Sequence, residues 1–143
     1  MSKSMILNGE IVPARFDLNT NTGGSLALDD WLKVRKQGGN TEDAGVLIEG
    51  EHAIEELRPF LKDCPFVALH LPKWSDGRIY SHARRIRTLW KYEGVILVYG
   101  DVLRDQLLYL SRCGINGFYM REDQDLRASL AAFSLYTEHY QYN

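Results

Sequence analysis

Phe66-Val67-Ala68-Leu69-His70-Leu71-Pro72-Lys73-Trp74-Ser75-Asp76-Gly77-Arg78-Ile79-Tyr80-Ser81 changes character halfway along. The first six residues form an unbroken apolar run apart from His70, as expected of a strand covered on both faces. Pro72 has no N–H for a strand ladder and ends the run. From Asp76 to Trp90 the period becomes helical, with Ile79, Ala83, Ile86 and Trp90 spaced to share a face. A strand handing over to an amphipathic helix in this way is one βα unit.

Three more units flank it. Gly45 to Ile48 is a short apolar run, followed by a helical stretch through Ala53, Leu57 and Leu61. Val95-Ile96-Leu97-Val98-Tyr99 lies between Gly94 and Gly100, and its helix repeats Leu103, Leu107 and Leu110 before stopping at Gly114, a suitable C-terminal cap. Gly117 to Met120 is the fourth strand, with Leu126, Leu130 and Phe133 marking a last helix. Four consecutive βα units predict an α/β fold with a mainly parallel sheet joined by right-handed crossovers. The pattern fits either an open sheet or half of a βα barrel. A half barrel would leave an apolar edge and favour a homodimer.

Residues 1–43 read as an N-terminal arm, and residues 44–143 as the βα-repeat domain. In the arm, Asn8-Gly9 between Ile6-Leu7 and Ile11-Val12 is a hairpin signal. Asn19 to Ser25 is a polar loop. Leu26 to Leu32 reads as the start of a short helix, with Leu28, Trp31 and Leu32 placed to cover an apolar patch, and Lys36 to Asp43 as a second loop.

The 143 residues are enough for a core without staples, and 45% hydrophobic with 25% charged residues is ordinary globular composition. A formal charge of -2 argues against nucleic acid as the main partner. No apolar run approaches the roughly 20 residues a membrane helix needs, and the N-terminus lacks a secretory pattern, so the expected compartment is the cytoplasm. Cys64 and Cys113 form no CxxC pair and read as free thiols. There is no dinucleotide fingerprint, phosphate loop or nucleophile elbow; no flavin, NAD or metal motif is present, and the cofactor is unknown.

Chemistry gathers where the second and third strands end, the edge at which parallel α/β folds bind ligands. Lys73 and Arg78 bring positive charge to a helix N-terminus and suit a small oxyanion. Ser75 or Asp76 can cap that helix; Asp76 can equally transfer a proton. Gly77 would allow a close approach. After the third strand, Asp101 is placed as a cap or a proton-transfer group, with Arg104 as a further anion ligand. Asp101 and Asp105, four apart, could share a helical face; a salt bridge for Asp105 is favoured over a metal, since oxygen-ligated ions need more donors. Arg78, His82 and Arg85 share one side of the second helix, with Arg84 and Arg87 on another. His70 reads as a core histidine, and His52 and His139 show no partner. Tyr136 and Tyr140 would pack as one stripe.

These motifs carry a resemblance. Leu71-Pro72-Lys73-Trp74-Ser75-Asp76-Gly77-Arg78-Ile79-Tyr80-Ser81, then Gly100-Asp101-Val102-Leu103-Arg104-Asp105-Gln106-Leu107, then Arg112-Cys113-Gly114, together resemble the bacterial "domain of unknown function 934" family. Tyr140-Gln141 looks like that family's closing Tyr-Gln, and the likeness covers about residues 44–141. Members are typically encoded beside the haem subunit of assimilatory sulfite reductase and labelled oxidoreductases on that ground. The resemblance implies a role in sulfur assimilation, with that subunit as partner. It marks Lys73, Asp76, Arg78, Tyr80, Ser81, Asp101, Asp105, Gln106, Arg112 and Cys113 as shared polar positions. Ile79 stands where the family usually has glycine, and Leu97 where an arginine is common, which removes one candidate anion ligand.

Two readings follow. In one, the chain is an accessory or redox partner of sulfite reductase, docking through its charged edge or the aromatic surface around Trp74 and Trp90. In the other, it is a small-molecule enzyme or oxyanion-binding protein: Asp76 and Asp101 move protons, Lys73, Arg78 and Arg104 hold the anion, and Tyr80, Ser81, Asp105 and Gln106 support them.

Overall fold

Asn8 and Gly9 take left-handed backbone angles, φ 52° and 81°, and so form the tight turn that matches the twist of paired strands. They join β1 (Ser4–Leu7) to β2 (Glu10–Pro13) as an antiparallel hairpin in which Leu7 faces Glu10. The computed structural model describes residues 4–73 and 77–131. The expectations placed on Trp74, Ser75, Asp76, Phe133, Tyr136, His139, Tyr140 and Gln141 lie outside the described residues.

The hairpin joins the main sheet. β1 pairs antiparallel with β7 (Gly117–Phe118), and the remaining strands, β3 (Ser25–Ala27), β4 (Gly45–Ile48), β5 (Phe66–Leu71) and β6 (Val95–Gly100), run parallel to one another and to β7. The spatial order is β2-β1-β7-β6-β5-β4-β3. The fold is a mostly parallel α/β sheet, as the βα periodicity predicted. Strand β3 corrects the reading of Leu26 as a helix start: three residues are too few for a period, and the helix begins only at Leu28.

Because parallel neighbours follow chain order and crossovers are right-handed, the helices collect on one face. The buried residues show this directly. Val46, Ile48, Val67, Leu69, Leu71, Ile96, Val98 and Phe118 alternate out of the strands into one large core. Onto it pack Leu28, Trp31 and Leu32 of α1 (Leu28–Lys36), Leu57 and Leu61, Ile79 and Ala83 of α2 (Arg78–Arg84), and Leu107 and Leu110 of α3 (Leu107–Arg112). Trp31 is fully buried, and its indole N–H donates to the Ala44 carbonyl at 2.9 Å, which satisfies its one polar atom. The opposite face carries a small cluster of Phe66, Ala68 and Leu97, with Leu47, Val95, Tyr99 and Tyr119 beside them; Phe16 and Leu18 of the arm pack against it.

Three connections differ from a plain helix. The segment after β4 is a 3-10 helix, Glu55–Asp63, interrupted by Pro59, which supplies no N–H to an α ladder; Ala53 precedes it and is exposed. Helix α2 passes into a π turn, Arg85–Leu89, where the Trp90 N–H reaches the Arg85 carbonyl at 2.8 Å. That extra residue turns Arg87 inward: its guanidinium donates to the carbonyls of Gly114 at 2.9 Å and Tyr92 at 2.6 Å. After β6, Leu103 is extended, and a 3-10 turn, Arg104–Gln106, leads into α3. A last helix over 126–131 starts at Asp125, whose carboxylate accepts the Ala128 N–H at 3.0 Å. No described helix is long and apolar enough to cross a membrane.

Candidate functional site at the strand ends

In β5 and β6, Leu71 faces Gly100 and His70 faces Tyr99. Gly100 has φ 110°, and a Cβ there would stand 2.4 Å from the Leu71 carbonyl oxygen and 3.1 Å from His70 Cδ2. Only glycine allows this close crossing of β5 and β6. The next N–H, from Asp101, then donates to that same Leu71 carbonyl at 2.7 Å. The tight approach was expected at Gly77 instead, but Gly77 has φ -74° and open space where a Cβ would go.

Asp101 does not cap a helix, because Leu103, which is extended, is the residue that precedes the first helical turn. Its carboxylate accepts from Arg121 Nη1 at 2.7 Å. Arg121 also makes a two-pronged contact with Asp123, at 2.6 and 2.7 Å. The two carboxylates raise the guanidinium pKa, and Arg121 holds the exposed Asp123 carboxyl down at about 2. Asp105 is not on a shared face with Asp101; it stands almost fully in water, 3.9 Å from Arg104. Such an exposed pair is worth little.

Other expected positions are brought together in part. Gln106 caps its own turn by accepting the Leu103 N–H at 3.0 Å, and its amide donates to the Tyr80 hydroxyl at 3.2 Å. The motif after β5 and the motif after β6 thus meet at Tyr80 and Gln106. Tyr80 also packs edge-on against Tyr109, with ring centroids 4.9 Å apart. Lys73, Arg78, Ser81 and Arg104 are exposed, while Asp76 lies outside the described residues. His82 is buried, with Nε2 2.9 Å from the Gly50 carbonyl; burial lowers its pKa. Both cysteines are free and buried, and burial, then Asp63, pushes the Cys64 thiol up to about 12, which leaves it un-ionised and unreactive at neutral pH.

A hollow lies on the second face, at the carboxyl ends of β6 and β7. It has a volume of about 1100 Å³. Tyr99, Gly100, Tyr119 and Met120 form its floor, the arm segment from Ala14 to Asn19 forms its roof, and Arg121, Glu122 and Asp123 close one end. The roof is fixed by Tyr119, whose hydroxyl accepts the Phe16 N–H at 3.0 Å and donates to the Phe16 carbonyl at 2.9 Å. Burial raises the pKa of Tyr119 and of Tyr99, and nearby Glu49 adds to the rise at Tyr99. Among the described residues, none of Lys73, Arg78, Asp101 or Arg104 lines this hollow. Its charged lining is two guanidiniums, Arg15 and Arg121, against three carboxylates, Asp17, Glu122 and Asp123. The arm was read as packing material, and nothing in its spacing marks a roof.

Beside the hollow is a row that sequence reasoning also passed over. His70 is not a core residue: it is about one-third exposed, with Nδ1 2.7 Å from a Glu49 carboxylate oxygen. Its ring stacks on Tyr99 at 4.9 Å and 18°. His52 has a partner as well, since its Nδ1 accepts the Glu49 N–H at 2.9 Å. The signal in the sequence was alternation: Leu47 and Glu49, Ala68 and His70, Leu97 and Tyr99 occupy one face in register. The buried Leu97 sits beneath Tyr99 on that face, where the resemblance expects an arginine.

A family model described as "Bacterial protein of unknown function (DUF934)" matches residues 45–143. No curated protein matches the chain.

Proposed function

We propose that this chain, which belongs to the bacterial protein family DUF934, binds a small molecule in the hollow at the carboxyl ends of β6 and β7. The observation that carries this reading is the hollow's make-up: an aromatic and apolar lining of Tyr99 and Tyr119 on the sheet side and Phe16 and Leu18 on the arm side, with the arm hydrogen-bonded to Tyr119. Its volume of about 1100 Å³ lies just above the range of ordinary ligand pockets, roughly 300–1,000 Å³. A bare oxyanion such as sulfite would leave it nearly empty. The excess of carboxylates over guanidiniums in the lining also disfavours an anion. The reading therefore replaces a free oxyanion by a molecule with a flat apolar body and a neutral or cationic polar end.

We also propose, as the family resemblance implies, a role in assimilatory sulfite reduction with the haem subunit of sulfite reductase as partner. An accessory surface for it would include Leu89, two-thirds exposed at the end of the π turn, and Tyr109, about half exposed on α3. The two readings are compatible, since the ligand face and the helix face are opposite sides of the sheet.

The test is a fluorescence titration with Nile red, a neutral aromatic dye, repeated with sulfite as competitor. Saturable binding that sulfite does not displace, and that Ala14→Trp abolishes by filling the hollow from its roof, is the expected result. Absence of saturable binding, or displacement by sulfite, would overturn the reading.

A further inference from the structure

The helix layer carries a stretch of chain with cations and no carboxylates. From Gly77 to Tyr92 the sequence holds Arg78, Arg84, Arg85, Arg87 and Lys91 and no aspartate or glutamate, and α3 adds Arg112, again with no acid. The chain as a whole carries a formal charge of -2. Two of these arginines are committed: Arg87 to backbone carbonyls, and Arg85 to Glu55 at 2.7 Å. Arg84 is exposed, and no ion pair joins it to a carboxylate among the described residues. Its Nε donates to Cys113 Sγ at 3.4 Å, and its guanidinium lies over the Tyr109 ring, 5.8 Å from the centroid. Those two contacts hold the guanidinium across the join of α2 and α3, so an arriving carboxylate meets a charge already in place.

Apolar surface gathers on the same elements. Among the described residues the exposed large apolar side chains are Ile11, Leu89 and Tyr109, and the last two lie on the π turn and on α3. Tyr109 is braced edge-on by Tyr80, which takes the Gln106 amide on its hydroxyl. An arginine beside a braced, exposed tyrosine is the usual make-up of a protein-binding hot spot. We propose that the face formed by α2, its π turn and α3 docks an acidic segment of a partner protein, with a carboxylate on Arg84 and an apolar side chain against Tyr109; this rests on the accessory reading above. A nucleic acid fits less well, because Glu55, on Arg85, and Asp105, just before α3, border the face and would repel a continuous phosphate chain.

The probe is a synthetic peptide of glutamates around one phenylalanine and one leucine, titrated into the isotope-labelled full chain and followed by NMR. Backbone signals of α2, the π turn and α3 should shift. Binding should weaken severalfold in about 0.5 M salt, and at least about tenfold in Arg84→Glu or Tyr109→Ala. Arg84→Gln, which removes only the charge, should fall between. Lys33→Glu makes the same charge change on α1 and should bind as the unaltered chain does. Thermal unfolding checks that each variant is folded. No peptide binding, shifts on other elements, equal binding by Arg84→Glu, or tighter binding of a poly-uridine oligonucleotide would overturn the inference. So would self-association in sedimentation that Arg84→Glu abolishes, since a second copy would then occupy the face. Capture of the purified haem subunit separates the inference from the reading beneath it. Equal capture by the unaltered chain and by Arg84→Glu would overturn the inference and leave the accessory reading standing; capture by neither would remove both.

Discussion

Tyr119 and Phe16, 103 positions apart in the chain, are joined by two hydrogen bonds through one hydroxyl. The phenol accepts the Phe16 N–H and donates to the Phe16 carbonyl, so a single side chain at the end of β7 satisfies both backbone groups of an arm residue. This is how a segment without regular structure becomes the fixed roof of a ligand-sized hollow.

Tyr119→Phe removes both bonds and keeps the ring. It should destabilise the protein by about 0.5–2 kcal/mol, since the half-buried backbone groups of Phe16 lose their partner. Urea unfolding measures that loss. Limited trypsin digestion should show faster cleavage after Arg15, since the roof is no longer held.

Gly100→Ala should destabilise by at least about 1–3 kcal/mol, because φ 110° is strained for any side chain and the Cβ would meet the Leu71 carbonyl. Gly77→Ala is the matched control. With φ -74° and open space, it should be neutral or stabilise by up to about 1 kcal/mol through the unfolded chain. Thermal unfolding of the two variants side by side makes the comparison.

The contrast between these glycines shows what the sequence could carry. Strands β4 to β7 and the helices after them were legible because buried strands and amphipathic helices leave long apolar periods, as in Phe66–Leu71 and in Ile79, Ala83 and Ile86. The Asn8-Gly9 hairpin was legible from its turn chemistry. Strand β3 was not, since Ser25–Ala27 is too short for a period and owes its state to pairing with Gly45–Leu47. Lengths and kinds of helix were blurred for a related reason: the π turn at Arg85–Leu89 depends on where Arg87 finds carbonyls.

Of the residues expected at the carboxyl ends of the strands, Tyr80 and Gln106 do meet. The cap expected of Asp101 failed because the helical turn begins only after Leu103, and its carboxylate meets Arg121 instead. The Glu49–His70 pair was missed because it joins two strands, and one-dimensional spacing does not show which residues become neighbours in register.

His82 gives a pH signature. Its folded pKa lies below the ordinary 6.5, mainly through burial, with Arg85 and His52 adding repulsion. The unfolded chain therefore binds a proton before the folded one does. Stability is full above about pH 6.5 and falls as the pH drops through that value towards the folded pKa. Chemical unfolding between pH 7.5 and about 5 should show this decline. In His82→Gln the His82 contribution disappears and the curve is flatter.

Asp101→Asn should cost about 1 kcal/mol or less, because its partner Arg121 is 44% exposed and keeps Asp123. It also removes one carboxylate from beside the hollow. Binding of a cationic dye should weaken, while that of neutral Nile red should stay the same. Parallel titrations with the two dyes read the difference.

The central claim is that the hollow beneath the Ala14–Asn19 roof holds a small molecule. Native mass spectrometry of the protein, gently purified from the organism that makes it, tests this most directly. The account predicts a non-covalent adduct on the order of a few hundred daltons, present on the unaltered chain and absent from Ala14→Trp. Protein without an adduct that also fails to bind Nile red, or an adduct retained unchanged in Ala14→Trp, would contradict it.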